Sequence, residues 1–91
     1  MDKYITRGVQ EEIAFELMEI IWQAIDEIPV TKDYLQIVRI KNGNRGIRVQ
    51  LKQDIPAYQV TIETSIQYER DYKLFIVEEN GYQVAMLAEE Y

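Results

Sequence analysis

Between Val9 and Ile28 the polar positions Glu12, Glu16, Glu19, Gln23, Asp26 and Glu27 recur at steps of three and four, the spacing of one helical face. Ile13, Leu17, Ile20, Ala24 and Ile28 fall on the opposite side. Phe15, Met18, Ile21, Trp22 and Ile25 widen the apolar arc well past a narrow seam. So wide an arc needs more than one cover: a sheet on one side, and a loop, a terminus or a second subunit on the other. Pro29 cannot continue the helix and pushes Ile28 out of helical geometry, so the pattern predicts an end near Asp26 or Glu27. Gly8 is a tolerable cap, and Glu11 and Glu12 suit the positive end of the helix dipole. Asp26 and Glu27 sit at the wrong end, a mild cost that a basic neighbour offsets.

The rest of the chain changes period from 3.6 to 2. Tyr4-Ile5-Thr6-Arg7 is a short stretch that either forms an edge strand or only leads into the helix. Tyr34 to Ile40 is rich in strand formers, and Ile47 to Lys52 alternates with Arg48, Gln50 and Lys52 facing out. The cluster Asn42-Gly43-Asn44-Arg45-Gly46 between them predicts a hairpin. After the break at Asp54-Ile55-Pro56-Ala57, alternation resumes from Tyr58 to Gln67, over a strand that can be shorter than the pattern. Tyr72 to Glu79 is apolar on both faces in its middle, which a central place in the sheet explains. Asn80-Gly81 is the strongest two-residue hairpin signal and sets Val77 opposite Val84 and Phe75 opposite Met86. One helix followed by hairpin-connected strands predicts a single α+β domain over residues 1–91. Its form is one amphipathic helix packed on an antiparallel sheet of about four strands.

Composition then narrows the chemistry. The chain has no cysteine and no histidine. Thiol catalysis and thiolate metal sites are excluded, and the usual general base and commonest zinc ligand are missing. No apolar run approaches the roughly 20 residues that span a bilayer, and Met1-Asp2-Lys3-Tyr4 does not read as a signal peptide. A cytoplasmic protein is the expectation. The net charge of −6 is not the usual footprint of a nucleic-acid binder. Its distribution says more: residues 10–28 carry only acids among their charges, and residues 34–53 only Arg39, Lys41, Arg45, Arg48 and Lys52.

Three constellations bear on function. Glu12, Glu16 and Glu19 share a helix face and could do acid–base work or hold a hard cation, although a solvated face is the plainer reading. Gly43-Asn44-Arg45-Gly46 matches the GxxG loop of KH domains, but that loop joins two helices and this one lies between strand patterns. Arg39, Lys41, Arg45, Arg48 and Lys52 form a candidate contact for an acidic partner or a nucleic-acid backbone. The plainer alternatives are a solvated sheet face or pairing with the acidic helix of the same molecule. Trp22 is most simply core, and a subunit interface is the sharper alternative.

The stretches Tyr4 to Val9, Trp22 to Asp26, Lys32 to Ile37, Gln53 to Tyr58 and Met86 to Tyr91 resemble a small Firmicute family of unknown function, met in staphylococci and on mobile elements. The resemblance implies a single-domain, cytoplasmic bacterial protein, and it transfers no functional residue. Together these readings predict a non-enzymatic protein-binding or regulatory module with no cofactor, metal or membrane role. Its partner is another protein or a second copy of the chain. Two alternatives remain open: a nucleic-acid-associated protein using the basic 39–52 hairpin, and an enzyme with an unrecognised carboxylate site.

Overall fold

The computed structural model describes residues 1–91. The chain runs β1 (Asp2–Ile5), α1 (Arg7–Glu12), α2 (Phe15–Asp26), β2 (Leu35–Gly43), β3 (Gly46–Gln53), β4 (Tyr58–Glu63), β5 (Tyr72–Glu79) and β6 (Tyr82–Leu87), ending in a single 3-10 turn over Ala88–Glu90. All six strands join one sheet in the order β1-β6-β5-β2-β3-β4. The expectation of one helix on an antiparallel sheet of about four strands is therefore corrected: the fold is α+β, with two short helices on a six-stranded mixed sheet.

The mixed character comes from β1, which pairs parallel to β6 while every other neighbouring pair is antiparallel. Through β6 and β5, β1 and β2 point the same way, and the two helices carry the chain back between them. A crossover of that kind is what parallel strands require. The pairing joins Lys3 to Gln83, almost the whole chain apart, and a four-residue strand has too few positions to show its period.

The expected single helix is two. Ile13 is extended (φ −113°, ψ 125°), and Ala14, also extended, caps α2. No glycine or proline marks the break. Its cause is tertiary: the Ala14 N–H donates to the Tyr68 hydroxyl, in the segment that links β4 to β5. In an unbroken helix Val9 and Leu17 would lie about 80° apart around the axis; the break lets both bury completely. The N-cap of α1 is Thr6, whose hydroxyl accepts from the Val9 N–H, and Gly8 lies inside the helix. Helix α2 ends at Asp26, one of the two expected positions. Lys3 is the basic neighbour that offsets its acidic end, 3.2 Å from the Asp26 carboxylate.

The core lies between the helices and one face of the sheet. Leu17, Met18, Ile21 and Ile25 of α2 meet Val38 and Ile40, Val49 and Leu51, Leu74 and Ile76, Ala85 and Leu87, all buried. Ile66 and Tyr68 also pack on this cluster, supplying the second cover that the wide apolar arc demands. Phe15, placed in that arc by its spacing, is 79% exposed. Both expected hairpins form; the first turns tighter than the 42–46 cluster, with Gly43 paired to Gly46 across Asn44-Arg45, and the second has the expected register. Asn80 (φ 51°) and Gly81 (φ 85°) make the tight turn, with Val77 opposite Val84 and Phe75 opposite Met86. Gly46 (φ +140°) is required twice over, since a Cβ there would collide with the Thr64 carbonyl. The alternation that began at Tyr58 leaves the sheet after Glu63, because the chain turns to cross the helix side through Ile66 and Tyr68. No helix is long and apolar enough to cross a membrane.

Candidate functional site

Strand alternation fixes what faces away from the helices. On β2 the outward residues are Leu35, Ile37, Arg39 and Lys41, and on β3 Arg48, Gln50 and Lys52. On β5 they are Lys73, Phe75, Val77 and Glu79, and on β6 Tyr82, Val84 and Met86. No second layer of secondary structure covers this face. Its apolar residues are half-buried, sheltered by one another and by Tyr91, whose ring meets Phe75 edge-on at 5.2 Å. Tyr34, Val77, Glu79, Val84, Met86 and Tyr91 line an open hollow of about 570 Å³ here. The apolar middle of β5 is thus explained only in part by its interior place in the sheet, since one of its faces remains open.

Beside the apolar zone lies a basic one. Register places Arg39 directly opposite Lys73 on β5 and Gln50 on β3, and Lys52 beside Ile37. Like charges directly opposite on paired strands destabilise a sheet, and neither Arg39 nor Lys73 makes an ion pair. The Lys73 ammonium instead lies 5.3 Å from the Phe75 ring centre. Lys41 and Arg48 also stand opposite each other, but each has its own acid: Asp71 at 3.6 Å and Glu63 at 3.0 Å. Arg45 occupies the hairpin turn, where it lines an open hollow with Lys41, Arg48 and Glu63. Of the five basic residues singled out by sequence, then, Arg39 and Lys52 join an unpaired zone, Lys41 and Arg48 are neutralised locally, and Arg45 stands at the tip. Lys73 belongs with Arg39 and was missed, because it lies outside the basic segment. The signal that could have found it was the outward alternation of β5, in phase with Phe75 and Val77.

The acidic helical face lies across the molecule. Glu16, Glu19, Asp26 and Glu27 are exposed on the side of α2 away from the core; Lys3 of β1 reaches Asp26, but none of the five basic residues of the 39–52 hairpin pairs with them. The break between helices also splits the predicted carboxylate row. Glu12 stays on α1, where it accepts from the Tyr72 hydroxyl (2.9 Å) and meets Arg70 (3.4 Å), while Glu16 and Glu19 ride on α2. No group of three or more acidic side chains converges on a point that could hold a metal ion. Trp22 packs half-buried against the core at the seam of β1 and α2, with the Lys3 ammonium 5.8 Å from its ring centre. Gly43-Asn44-Arg45-Gly46 is the turn of a β-hairpin, which removes the KH geometry.

At one border of the uncovered face, Glu90 clasps the chain ends together. Its carboxylate accepts from the Thr6 hydroxyl (2.6 Å), the Leu87 N–H (2.7 Å) and the Gly8 N–H (3.1 Å). These bonds, the Thr6 hydroxyl's first, hold its carboxyl below the usual carboxylate range. A Cβ on Gly8 would collide with the same carboxylate. The clasp fixes the last turn, from which Tyr91 reaches Phe75.

Residues 2–90 match the family described as "Staphylococcal protein of unknown function (DUF960)". The chain belongs to this family. Its fold recurs in the crystal structure of a protein of unknown function from Enterococcus faecalis, with a TM-score of 0.85 at 18% identity, covering 99% of this chain and 90% of that one. No curated protein matches the chain. The likeness to the enterococcal protein concerns the fold alone.

Proposed function

We propose that this DUF960 protein is a non-enzymatic, cytoplasmic protein-binding module. Its uncovered sheet face docks a partner segment that combines apolar and acidic residues. The observation that carries this reading is the Arg39–Lys73 pair. Two cations directly opposite each other, with no acid between them, cost the free protein stability, and a carboxylate bound across them would remove that cost. The adjoining Leu35, Ile37, Val77, Val84 and Met86 supply apolar contact on the same face. Burial of apolar surface gives affinity, while complementary charge gives register and speed of encounter. A single nucleic-acid strand is the competing occupant, since cations beside Tyr34 and Phe75 could serve it. Two features favour a protein instead. Phe75 at the centre of the face is flanked by the aliphatic Ile37, Val77 and Met86 and already engaged edge-on by Tyr91, and the net charge is −6.

Selection from a random displayed-peptide library tests the reading. Enriched peptides should carry Asp or Glu beside Leu, Ile or Phe. Their binding should weaken steeply with salt, be lost in the Arg39→Glu/Lys73→Glu double variant, and survive Glu19→Gln on the opposite side. No enrichment overturns the proposal. So does enrichment indifferent to the two cations, or tighter saturable binding of a single-stranded oligonucleotide at the same residues.

A further inference from the structure

The sheet has two edges, and they differ. Strand β1 is short and bears the charged pair Asp2 and Lys3, devices that blunt an edge. Strand β4 (Tyr58-Gln59-Val60-Thr61-Ile62-Glu63) has no lysine and no proline, and pairs one-to-one with β3 without a bulge. The bond from the Thr64 N–H to the Ile47 carbonyl sets the phase of that pairing. Antiparallel ladders alternate, so Tyr58, Val60 and Ile62 exchange hydrogen bonds with β3, and Gln59, Thr61 and Glu63 direct their N–H and C=O groups outward.

We propose that β4 pairs antiparallel with β4 of a second copy of this chain about a twofold axis at Thr61, joining two sheets into one of twelve strands. The self-complementarity of the strand identifies the occupant. Outward-bonding residues must meet outward-bonding residues, and the register centred on Thr61 keeps all three inside the strand: Gln59 opposite Glu63, Thr61 opposite Thr61, Glu63 opposite Gln59. Registers centred on Val60 or Ile62 push one of these contacts beyond the strand end. In the Thr61 register Val60 faces Ile62 of the other copy twice on the helix side, where both residues are half-buried in the single chain. Glu63, held by Arg48 at 3.0 Å, meets an uncharged glutamine, so no like charges oppose each other. About six backbone hydrogen bonds would form, two for each outward pair. The helices of both copies fall on one side of the joined sheet and the uncovered faces on the other, so this pairing is independent of the docking proposed above.

The chain's lack of cysteine allows a direct test. Across the axis the Thr61 Cα atoms would lie about 5.5 Å apart, within disulfide reach, whereas those of Gln59 would be about 14 Å apart. Under mild oxidation Thr61→Cys should form a disulfide-linked dimer readily, and Gln59→Cys should not. Sedimentation equilibrium should give a dimer for the wild type and an association at least about tenfold weaker for Thr61→Lys, with unchanged circular dichroism. Three results overturn the proposal: a monomeric wild type at every concentration, an association untouched by Thr61→Lys, or equal cross-linking of the two cysteine variants.

Discussion

On β5, Leu74 and Ile76 are sealed beneath the helices at 0% and 1% exposure, while Phe75 and Val77, their immediate neighbours, stand half-buried on the uncovered side. The contrast repeats along β2, where Val38 and Ile40 are sealed and Leu35 and Ile37 are not. On the covered face the aliphatic side chains of β2, β3, β5 and β6 are sealed beneath the helices, and buried polar groups are almost all bonded. The Gln53 amide alone accepts from the Asp33 N–H and the Gln36 amide and donates to the Thr31 and Pro56 carbonyls. On the uncovered face apolar side chains shelter one another imperfectly, and two cations oppose each other unpaired. One face is therefore arranged for stability, whereas the other carries features that cost it.

Mutations on the two faces should differ in cost. The largest expected effect is Leu74→Ala, at about 2–5 kcal/mol in a urea melt. Phe75→Ala removes a larger side chain but should cost less than half as much, because it opens no closed cavity. Equal losses would make the uncovered face part of the core. Next is Gln53→Leu, expected to cost about 3 kcal/mol by orphaning several buried partners. Gln50→Leu, on the same strand but facing outward, should fall within about 0.5 kcal/mol of wild type.

A smaller effect carries the opposite sign. Lys73→Gln should stabilise the free protein by about 0.2–1 kcal/mol at low salt, by relieving its opposition to Arg39, and the gain should shrink as salt rises. Lys41→Gln should bring no gain, since it also removes an ion pair with Asp71. The smallest effect concerns the Glu90 clasp. Because the folded protein lowers this carboxyl's pKa, its contribution is fully present above the unfolded pKa. It is lost as pH falls through the lower folded value. Thermal melts across the acid range should show a shallower pH dependence in Glu90→Gln. An identical acid limb in the two proteins would mean the clasp is not formed in solution.

Sequence signals are legible where the physics is local. Asn80-Gly81 favours positive φ at adjacent positions, and this alone set the β5–β6 register down to Val77 opposite Val84. Pro29 marked the end of α2 to within a residue. The break at Ile13 and Ala14 could not be read, because the residues there are compatible with helix and its cause is the Tyr68 hydroxyl from a distant segment. Trp22 shows the same limit. Its place in the apolar arc was clear, but its neighbour Lys3 comes from an edge strand that periodicity left unresolved.

The candidate site divides along the same line. Alternation alone put Arg48 and Lys52 on the outward side of their strand, since a period of two leaves no other choice once Val49 and Leu51 are core. That side chains from β2 and β5 share one face, with Arg39 opposite Lys73 and aliphatic residues beside them, depended on strand order. Strand order is set by which long-range pairings bury the most apolar surface together, and such pairings join residues that no local window contains. Local pattern suffices for strands β2 to β6, the hairpin turns and the separation of charge along the chain, but neither for the break between the helices nor for β1. Which side of the molecule carries the exposed acids of α2 and which carries Arg39 and Lys73 follows from the packing, because the helices can cover just one face of a single-layer sheet.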